Sequence, residues 1–144
     1  MKNAADPHDL ERFVAAQDAG DTYGSALAEL RRGRKTSHWM WFVFPQIEGL
    51  GESAMSKRYA IASLDEARAY VRHPVLGPRL RECVRIVNAL PPAGAEAIFG
   101  SIDAQKLRSS LTLFLRAAPD EPAFARALER YFGGVPDAAT DARL

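Results

Sequence analysis

The sequence predicts an all-α fold, a compact single-domain bundle of about six to eight short helices joined by irregular loops. Apolar residues recur every three or four positions in most segments, which is the period of a helix with one face on a core. Capping residues precede these segments, and glycine or proline follows them. Apart from one short aromatic segment, no stretch has strand character.

The predicted helices are read from their caps and their stops. Ser63 and Glu66 match a capping box, in which the serine hydroxyl accepts a hydrogen bond from the backbone three residues on. Asp9, Asp103 and Asp120 are the predicted caps of three other helices. In chain order, the predicted helices cover residues 9–20, 22–33, 63–73, 78–90, 103–118 and 120–133, with a short terminal piece capped by Asp137.

Residues 38–46 read HWMWFVFPQ and contain both tryptophans of the chain. Their β-propensity and short length fit a buried strand. A lone strand, however, would leave its backbone donors and acceptors unpaired in the interior. The alternative is a short buried helix that Thr36 or Ser37 caps and that ends at Phe44, the residue before Pro45. The helix is favoured, and its core anchors are then Trp39, Phe42 and Phe44.

Composition excludes several classes of protein. The chain has 144 residues, enough for a core of its own, and its 47% hydrophobic and 26% charged residues are typical of a globular protein. A net charge of +1 provides no field to attract duplex DNA, so no nucleic-acid polymer is expected as a partner. The single Cys83 excludes an intramolecular disulfide and a cysteine-rich metal site.

The domain organisation is simple. Residues 1–8 are polar and are predicted to be a flexible segment, and residues 9–144 are predicted to form one helical domain. No apolar run reaches transmembrane length and no secretory signal precedes the first helix. We therefore expect a cytoplasmic location and no membrane partner. No feature of the sequence indicates an oligomeric state.

Residues 49–59 carry features of an anion site. Two glycines allow the loop to bend, and Ser53 can cap a following helix whose free N–H groups attract negative charge. Arg58, beside Tyr59, lies one turn on and could donate a charge-assisted hydrogen bond to a phosphate or carboxylate. An ordinary capped joint between loop and helix explains the same residues without a ligand.

The aromatic segment supplies further candidates. Trp41 can stack on a flat ring, and Gln46 offers an amide with both a donor and an acceptor. His38 is the side chain of this segment that can transfer a proton near neutral pH, so it is the candidate catalytic residue. The alternative is that these aromatic residues belong to the core.

Lys106 and Ser109 flank the buried stripe of the predicted helix 103–118 and could close the far side of a ligand site. Close packing between helices is the alternative reason for serine within a helix. No familiar catalytic motif is present, and the three histidines lie far apart in the sequence. Neither a metal site nor a cofactor is therefore predicted.

Several segments resemble one bacterial family. The stretches HWMWFVFPQ at 38–46 and GLGESAMSKRY at 49–59 look like the hallmark of the domain-of-unknown-function family numbered eighteen-ten. The resemblance implies membership over residues 9–144, but no activity, cofactor or catalytic residue. Some relatives carry the label calpastatin, a disordered protease inhibitor, which does not fit a chain with so many caps and core residues. The later blocks of the family numbered eighteen-ten are similar to residues 73–80, 99–101, 106–110 and 131–134.

Two functions of different classes fit these residues. The first is a site for a phosphorylated or nucleotide-like ligand of the ADP-ribose type, with hydrolysis as a reaction that it could catalyse through His38. The second is a protein-interaction module, which predicts an exposed apolar patch and no enclosed polar cavity. We favour the anionic small molecule, because an interaction module does not require a histidine, glycines and the basic pair Lys57 and Arg58 so close together. Its predicted ligand-binding residues are Trp41, Gln46, Ser53, Arg58, Tyr59, Lys106 and Ser109.

Overall fold

The computed structural model describes residues 5–144, which form helices joined by short loops. The predicted all-α, single-domain class is confirmed, and the described residues contain no strand. A 3-10 turn, Ala19–Asp21, joins the first two helices. In chain order the helices are α1 (Glu11–Asp18), α2 (Thr22–Arg32), α3 (Met40–Val43), α4 (Ala54–Arg58), α5 (Leu64–Arg72), α6 (Leu76–Ala89), α7 (Ala95–Ala117), α8 (Pro122–Phe132) and α9 (Ala138–Asp141).

The helix α7 lies at the centre of the bundle. It packs against α5, α8 and α9, while α6 packs against α2, α5 and α8. The stripes that the three-to-four spacing predicts face inwards, and burial of each such side chain contributes roughly 1.5–3 kcal/mol. The buried side chains of the apolar stripes on α6 and α7 include Leu80, Val84, Val87, Leu107, Leu111 and Phe114. No helix within residues 5–144 has the length and apolar character needed to cross a membrane.

The first helix begins with a cap that differs from the predicted one. The carboxylate of Asp6 accepts hydrogen bonds from the backbone N–H groups of Leu10 and Glu11, at 2.8 and 3.0 Å. Burial raises the pKa of Asp6, but these bonds outweigh it and hold that pKa below its usual value. The predicted cap Asp9 is wrong, because the N-cap position of α1 is Leu10 and the side-chain acceptor is Asp6. The predicted flexible segment, residues 1–8, lies partly outside the described residues.

Two further caps differ from the prediction. Asp103 lies inside α7, because that helix already begins at Ala95. Its carboxylate instead forms an ion pair with Lys35 at 2.7 Å. Asp120 precedes α8, whose N-cap is Glu121 and makes no side-chain capping bond. The helix period therefore locates these helices better than their acidic residues do. The capping side chains that are confirmed are Ser53 on α4, Ser63 on α5 and Asp137 on α9.

Replacing Ser63 with alanine is expected to lower the free energy of unfolding by about 1 kcal/mol. The reason is that the N–H of Glu66 loses its acceptor, the Ser63 hydroxyl at 3.1 Å. Chemical denaturation measures the loss. The control is Ser25→Ala, because Ser25 is exposed within α2 and does not cap a helix. Equal losses in the two variants would contradict the capping role.

The aromatic segment folds into the predicted short helix and not into a strand. The helix α3 covers Met40–Val43 and its N-cap is Trp39. The three predicted core anchors are confirmed, since Trp39, Phe42 and Phe44 are each no more than 6% exposed. Of the two tryptophans, Trp41 alone keeps part of its side chain at the surface of the described structure. The helix therefore separates one indole for the core from one for the surface.

The predicted caps of this helix, Thr36 and Ser37, are wrong. Their backbone N–H groups turn back towards α2 and donate to Oε1 of Glu29, at 2.7 and 2.9 Å. The hydroxyl of Ser37 donates to the other oxygen of the same carboxylate. The segment before α3 is therefore fixed to the end of α2, which determines where the aromatic segment enters the core.

Candidate functional site

A cleft of about 400 Å³ opens between the loop after α3 and the part of α7 that follows Gly100. Two of the predicted ligand-binding residues, Gln46 and Lys106, meet here although they are far apart in the chain. A cavity of this size can hold a small organic molecule. Its lining residues are Gln46, Leu50, Gly51, Ser101, Ile102, Gln105 and Lys106.

A bend in α7 forms one wall of the cleft. Gly100 has φ of 79° and ψ of 165°, a conformation outside the helical region that glycine adopts readily and other residues do not. The helix resumes after the bend, so that Ser101 and Gln105 lie one turn apart along the wall. Ile102, at the rim, is 74% exposed. This wall of the cleft is thus polar at Ser101 and Gln105 and apolar at Ile102.

The loop after α3 forms the opposite wall and is fixed by backbone contacts. The N–H of Ile61 donates to the carbonyl of Gln46, and the N–H of Glu48 donates to the carbonyl of Ile61, both at 2.8 Å. The guanidinium of Arg143 donates to the carbonyl of Gly49 at 3.2 Å. The loop is therefore held from the α5 side and from the C-terminal side, which keeps Gln46 at the cleft.

The charge of the cleft comes from Lys106. Its ammonium lies 3.9 Å from Oδ1 of Asp103, which is a long ion pair. Asp103 makes its shorter ion pair, 2.7 Å, with Lys35. Because one carboxylate is shared between two ammonium groups, the cluster carries an excess of positive charge on the cleft side.

Trp41 lies directly beneath that ammonium. The nitrogen of Lys106 is 5.1 Å from the centre of the Trp41 ring, a cation–π distance. The Trp41 indole N–H is buried and has no hydrogen-bond partner within residues 5–144. The exposed His38 lies beside it, with the two ring centres 6.4 Å apart. Trp41 thus contacts a lining residue of the cleft, but neither Trp41 nor His38 is itself among the lining residues.

Trp39 has a structural partner that the sequence analysis missed. Its indole N–H donates to Oε1 of Glu29 at 3.0 Å, so this buried carboxylate accepts from Thr36, Ser37 and Trp39 together. Burial raises the pKa of Glu29, but these hydrogen bonds outweigh it and lower that pKa to about 2. Glu29 therefore remains ionised in the core and fixes the aromatic segment beside the cleft.

Two predicted ligand-binding residues lie in the interior. Tyr59 is 7% exposed and packs against Phe13 and Phe42. Ser109 is 2% exposed, and its hydroxyl donates to the carboxylate of Asp137 at 3.1 Å. Their polar groups suggested a ligand, but the fold uses both side chains for packing, so neither is retained in the candidate site.

Ser53 and Arg58 lie at α4 and are not among the lining residues of the cleft. Ser53 caps this helix of five residues by accepting from the N–H of Ser56 at 3.1 Å. Arg58 lines a separate groove of about 350 Å³ together with Lys57 and Glu66. The groove shares no lining residue with the cleft. Ser53 and Arg58 are therefore not among the residues that the cleft brings together.

Several cleft residues carry no signal in the sequence. Gln105 directly precedes the predicted Lys106, and Ser101 follows the bend at Gly100, but neither carries a recognisable motif. Leu50 and Ile102 give no signal either, since apolar residues in a helical sequence are assigned to the core by default. Within residues 5–144 no group of three or more His, Cys, Asp or Glu side chains is arranged to hold a metal ion.

Comparison with known proteins identifies the family. A family described as "Protein of unknown function (DUF1810)" matches residues 7–144. The chain belongs to the DUF1810 family. The resemblance carried by residues 38–46 and 49–59 is therefore confirmed. No curated protein matches the chain closely enough to establish a relationship.

A crystal structure of a similar protein supports the fold. The conserved hypothetical protein Rv1873 from Mycobacterium tuberculosis superposes with a TM-score of 0.94 and is 52% identical. The match covers 96% of this chain and 98% of that one. The similar structure therefore supports the fold, whereas DUF1810 membership assigns no reaction to the chain. The geometry of the cleft is the basis for a functional proposal.

Proposed function

We propose that the cleft binds a phosphorylated or nucleotide-like small molecule, with Lys106 as the counter-charge for its anionic group. The observation that carries the proposal is that Lys106 is the one charged side chain among the described residues that line the cleft. Its ion pair with Oδ1 of Asp103 is long, and Asp103 makes its shorter ion pair with Lys35 through Oδ2. The ammonium of Lys106 therefore keeps the capacity for charge-assisted hydrogen bonds to a phosphate or carboxylate.

The other lining residues suit the remainder of such a molecule. The amides of Gln46 and Gln105 and the hydroxyl of Ser101 offer donors and acceptors to sugar or base atoms. Leu50 and Ile102 provide apolar surface at the rim. A few polar groups within an otherwise apolar cavity is the usual composition of a small-molecule site.

The proposal concerns binding and not a reaction. His38 is exposed beside Trp41 and is not a lining residue of the cleft. A general acid or base must come within hydrogen-bond reach of the reacting atom. The hydrolytic role of His38 therefore stays a prediction, to be tested only once a ligand has been found.

Replacing Lys106 with glutamine is expected to remove most of the stabilisation that a ligand provides. A ligand at about ten times its Kd raises the free energy of unfolding by about 1.4 kcal/mol, which corresponds to roughly 3–6 °C in Tm for a chain of this size. Thermal unfolding with a panel of nucleotides, sugar phosphates and ADP-ribose measures the shift. Glutamine is one carbon shorter than lysine and remains polar, and it removes the charge.

The matched control is Lys57→Gln, which removes the same charge from the exposed groove at α4. If the best compound stabilises Lys106→Gln as much as the wild type, the proposal fails. If no compound of the panel stabilises the wild type, the interaction module becomes the better hypothesis. The exposed Ile102 is the observation that favours an interaction module. In that case Ile102→Ser should abolish capture of the protein partner in a pull-down.

A further inference from the structure

A second cavity of about 480 Å³ adjoins the cleft. Ser101 and Gln105 line both spaces, so the two cavities lie on either side of these residues. The two side chains are exposed and stand one helical turn apart on α7, which is about 6 Å along the helix axis. The other lining residues of the second cavity include Gly94, Glu96, Tyr131 and Phe132.

The second cavity differs from the cleft in chemistry. Tyr131 and Phe132, at the end of α8, give it two half-buried aromatic rings. The hydroxyl of Tyr131 donates to the carbonyl of Val87 at 2.5 Å, which fixes the orientation of its ring. The charged group that lines this cavity is the acidic Glu96, whereas Lys106 lines the cleft. An anion is therefore favoured on one side of Ser101 and Gln105, and a neutral aromatic group on the other.

We infer that the two cavities are subsites of one binding site, for a molecule that joins an anionic group to a flat aromatic ring. The anionic group binds at Lys106, and the ring binds beside Tyr131 and Phe132. The atoms that link them pass over Ser101 and Gln105, which line both cavities. A nucleotide has this composition, because its ribose separates the phosphate from the base. This inference rests on the proposed function, and it assigns the ring to α8 and not to Trp41.

Gly94 offers a way to block the second cavity alone. It lines that cavity and has φ of −77°, which any residue adopts, and a Cβ added there would meet no atom within 4 Å. Gly94→Trp should therefore fill the space without straining the backbone. Gly94→Ser is the matched control, since its small side chain leaves the cavity open and suits the N-cap position of α7.

The experiment compares AMP, which has both parts, with ribose 5-phosphate, which has the anionic part only. Calorimetry on the wild type and on Gly94→Ser should show AMP binding at least about fivefold more tightly than ribose 5-phosphate, because stacking of a base on an aromatic side chain contributes that much or more. In Gly94→Trp the affinity for AMP should fall to that for ribose 5-phosphate, whose own affinity stays unchanged. Unchanged binding of ribose 5-phosphate also shows that the variant is folded.

The outcomes separate this inference from the proposed function. Equal affinity of AMP and ribose 5-phosphate for the wild type, or unchanged AMP affinity in Gly94→Trp, overturns the second subsite. Ribose 5-phosphate binding that Lys106→Gln abolishes would still support the proposed function. Binding of both compounds that Lys106→Gln leaves intact overturns the proposed function as well. If Gly94→Trp does not fold, Phe132→Leu replaces it, and it should weaken AMP alone by removing the ring.

Discussion

Glu29→Gln is expected to lower the free energy of unfolding by about 3 kcal/mol at neutral pH. The Glu29 carboxylate is 5% exposed and accepts hydrogen bonds from two backbone N–H groups, a hydroxyl and the Trp39 indole. Glutamine keeps one acceptor oxygen and turns an N–H₂ group towards donors. The segment that enters α3 would therefore lose its attachment to α2.

The same carboxylate predicts how stability depends on pH. Hydrogen bonds lower the pKa of Glu29 from its ordinary 4.5 to about 2 in the folded protein. Between these values the unfolded chain binds the proton more tightly than the folded one does, so stability rises with pH. The contribution is complete above the unfolded pKa and is lost as pH falls towards about 2, a change of about 3 kcal/mol.

Urea denaturation from pH 7 down to pH 2 measures both effects, with roughly constant salt. Glu29→Gln should be less stable at pH 7 and should lack the part of the acid slope that Glu29 provides. The matched control is Glu52→Gln, because Glu52 is exposed. An acid slope that is the same in Glu29→Gln and in the wild type would contradict the assignment.

Asp137→Ala is expected to lower the free energy of unfolding by about 3 kcal/mol, since hydrogen bonds to a charged group contribute more than neutral ones. The Asp137 carboxylate is buried and accepts from the Gln105 amide and the Ser109 hydroxyl at 3.1 Å. It also accepts from the N–H and hydroxyl of Thr140, at 3.0 and 2.6 Å. One side chain thus caps α9 and joins it to α7.

Denaturation of Asp137→Ala is best compared with that of Asp120→Ala. Asp120 is exposed before α8, so its replacement should change stability by less than about 0.5 kcal/mol. Similar stability of the two variants would show that Asp137 does not hold α9 in place. Because Gln105 lines both cavities, Asp137→Ala should also weaken any ligand that binds there.

Helices could be predicted from the sequence wherever their signals are local. A cap such as Ser63 acts on a backbone group three residues away, so its effect does not depend on the rest of the fold. Asp9 and Asp6 both precede α1, and the choice between them depends on the path of a turn that no spacing encodes. The predicted helix start at Asp103 is wrong because Gly100 interrupts the helical pattern of α7, which begins at Ala95.

The candidate site was harder to predict, because it depends on distant contacts. Gln46 and Lys106 were predicted from their chemistry, but their meeting requires the bend of α7 and the fixed loop after α3. Tyr59 and Ser109 have equally suitable groups and are buried by neighbouring helices. Glu29 was missed because an acidic residue near a helix end is usually solvated, and its partners lie beyond a turn at Gly33.

The different surroundings of the two indoles give the chain two separate optical reporters. Trp39 is fully buried and bonded to Glu29, so its fluorescence should follow acid unfolding and remain unchanged when a ligand is added. Trp41 lies half-buried beneath Lys106, so displacement of that ammonium by a bound anion should alter its emission. A variant with Phe at position 39 or 41 would record one signal without the other. Folding and binding can therefore be followed independently by comparing the two variants.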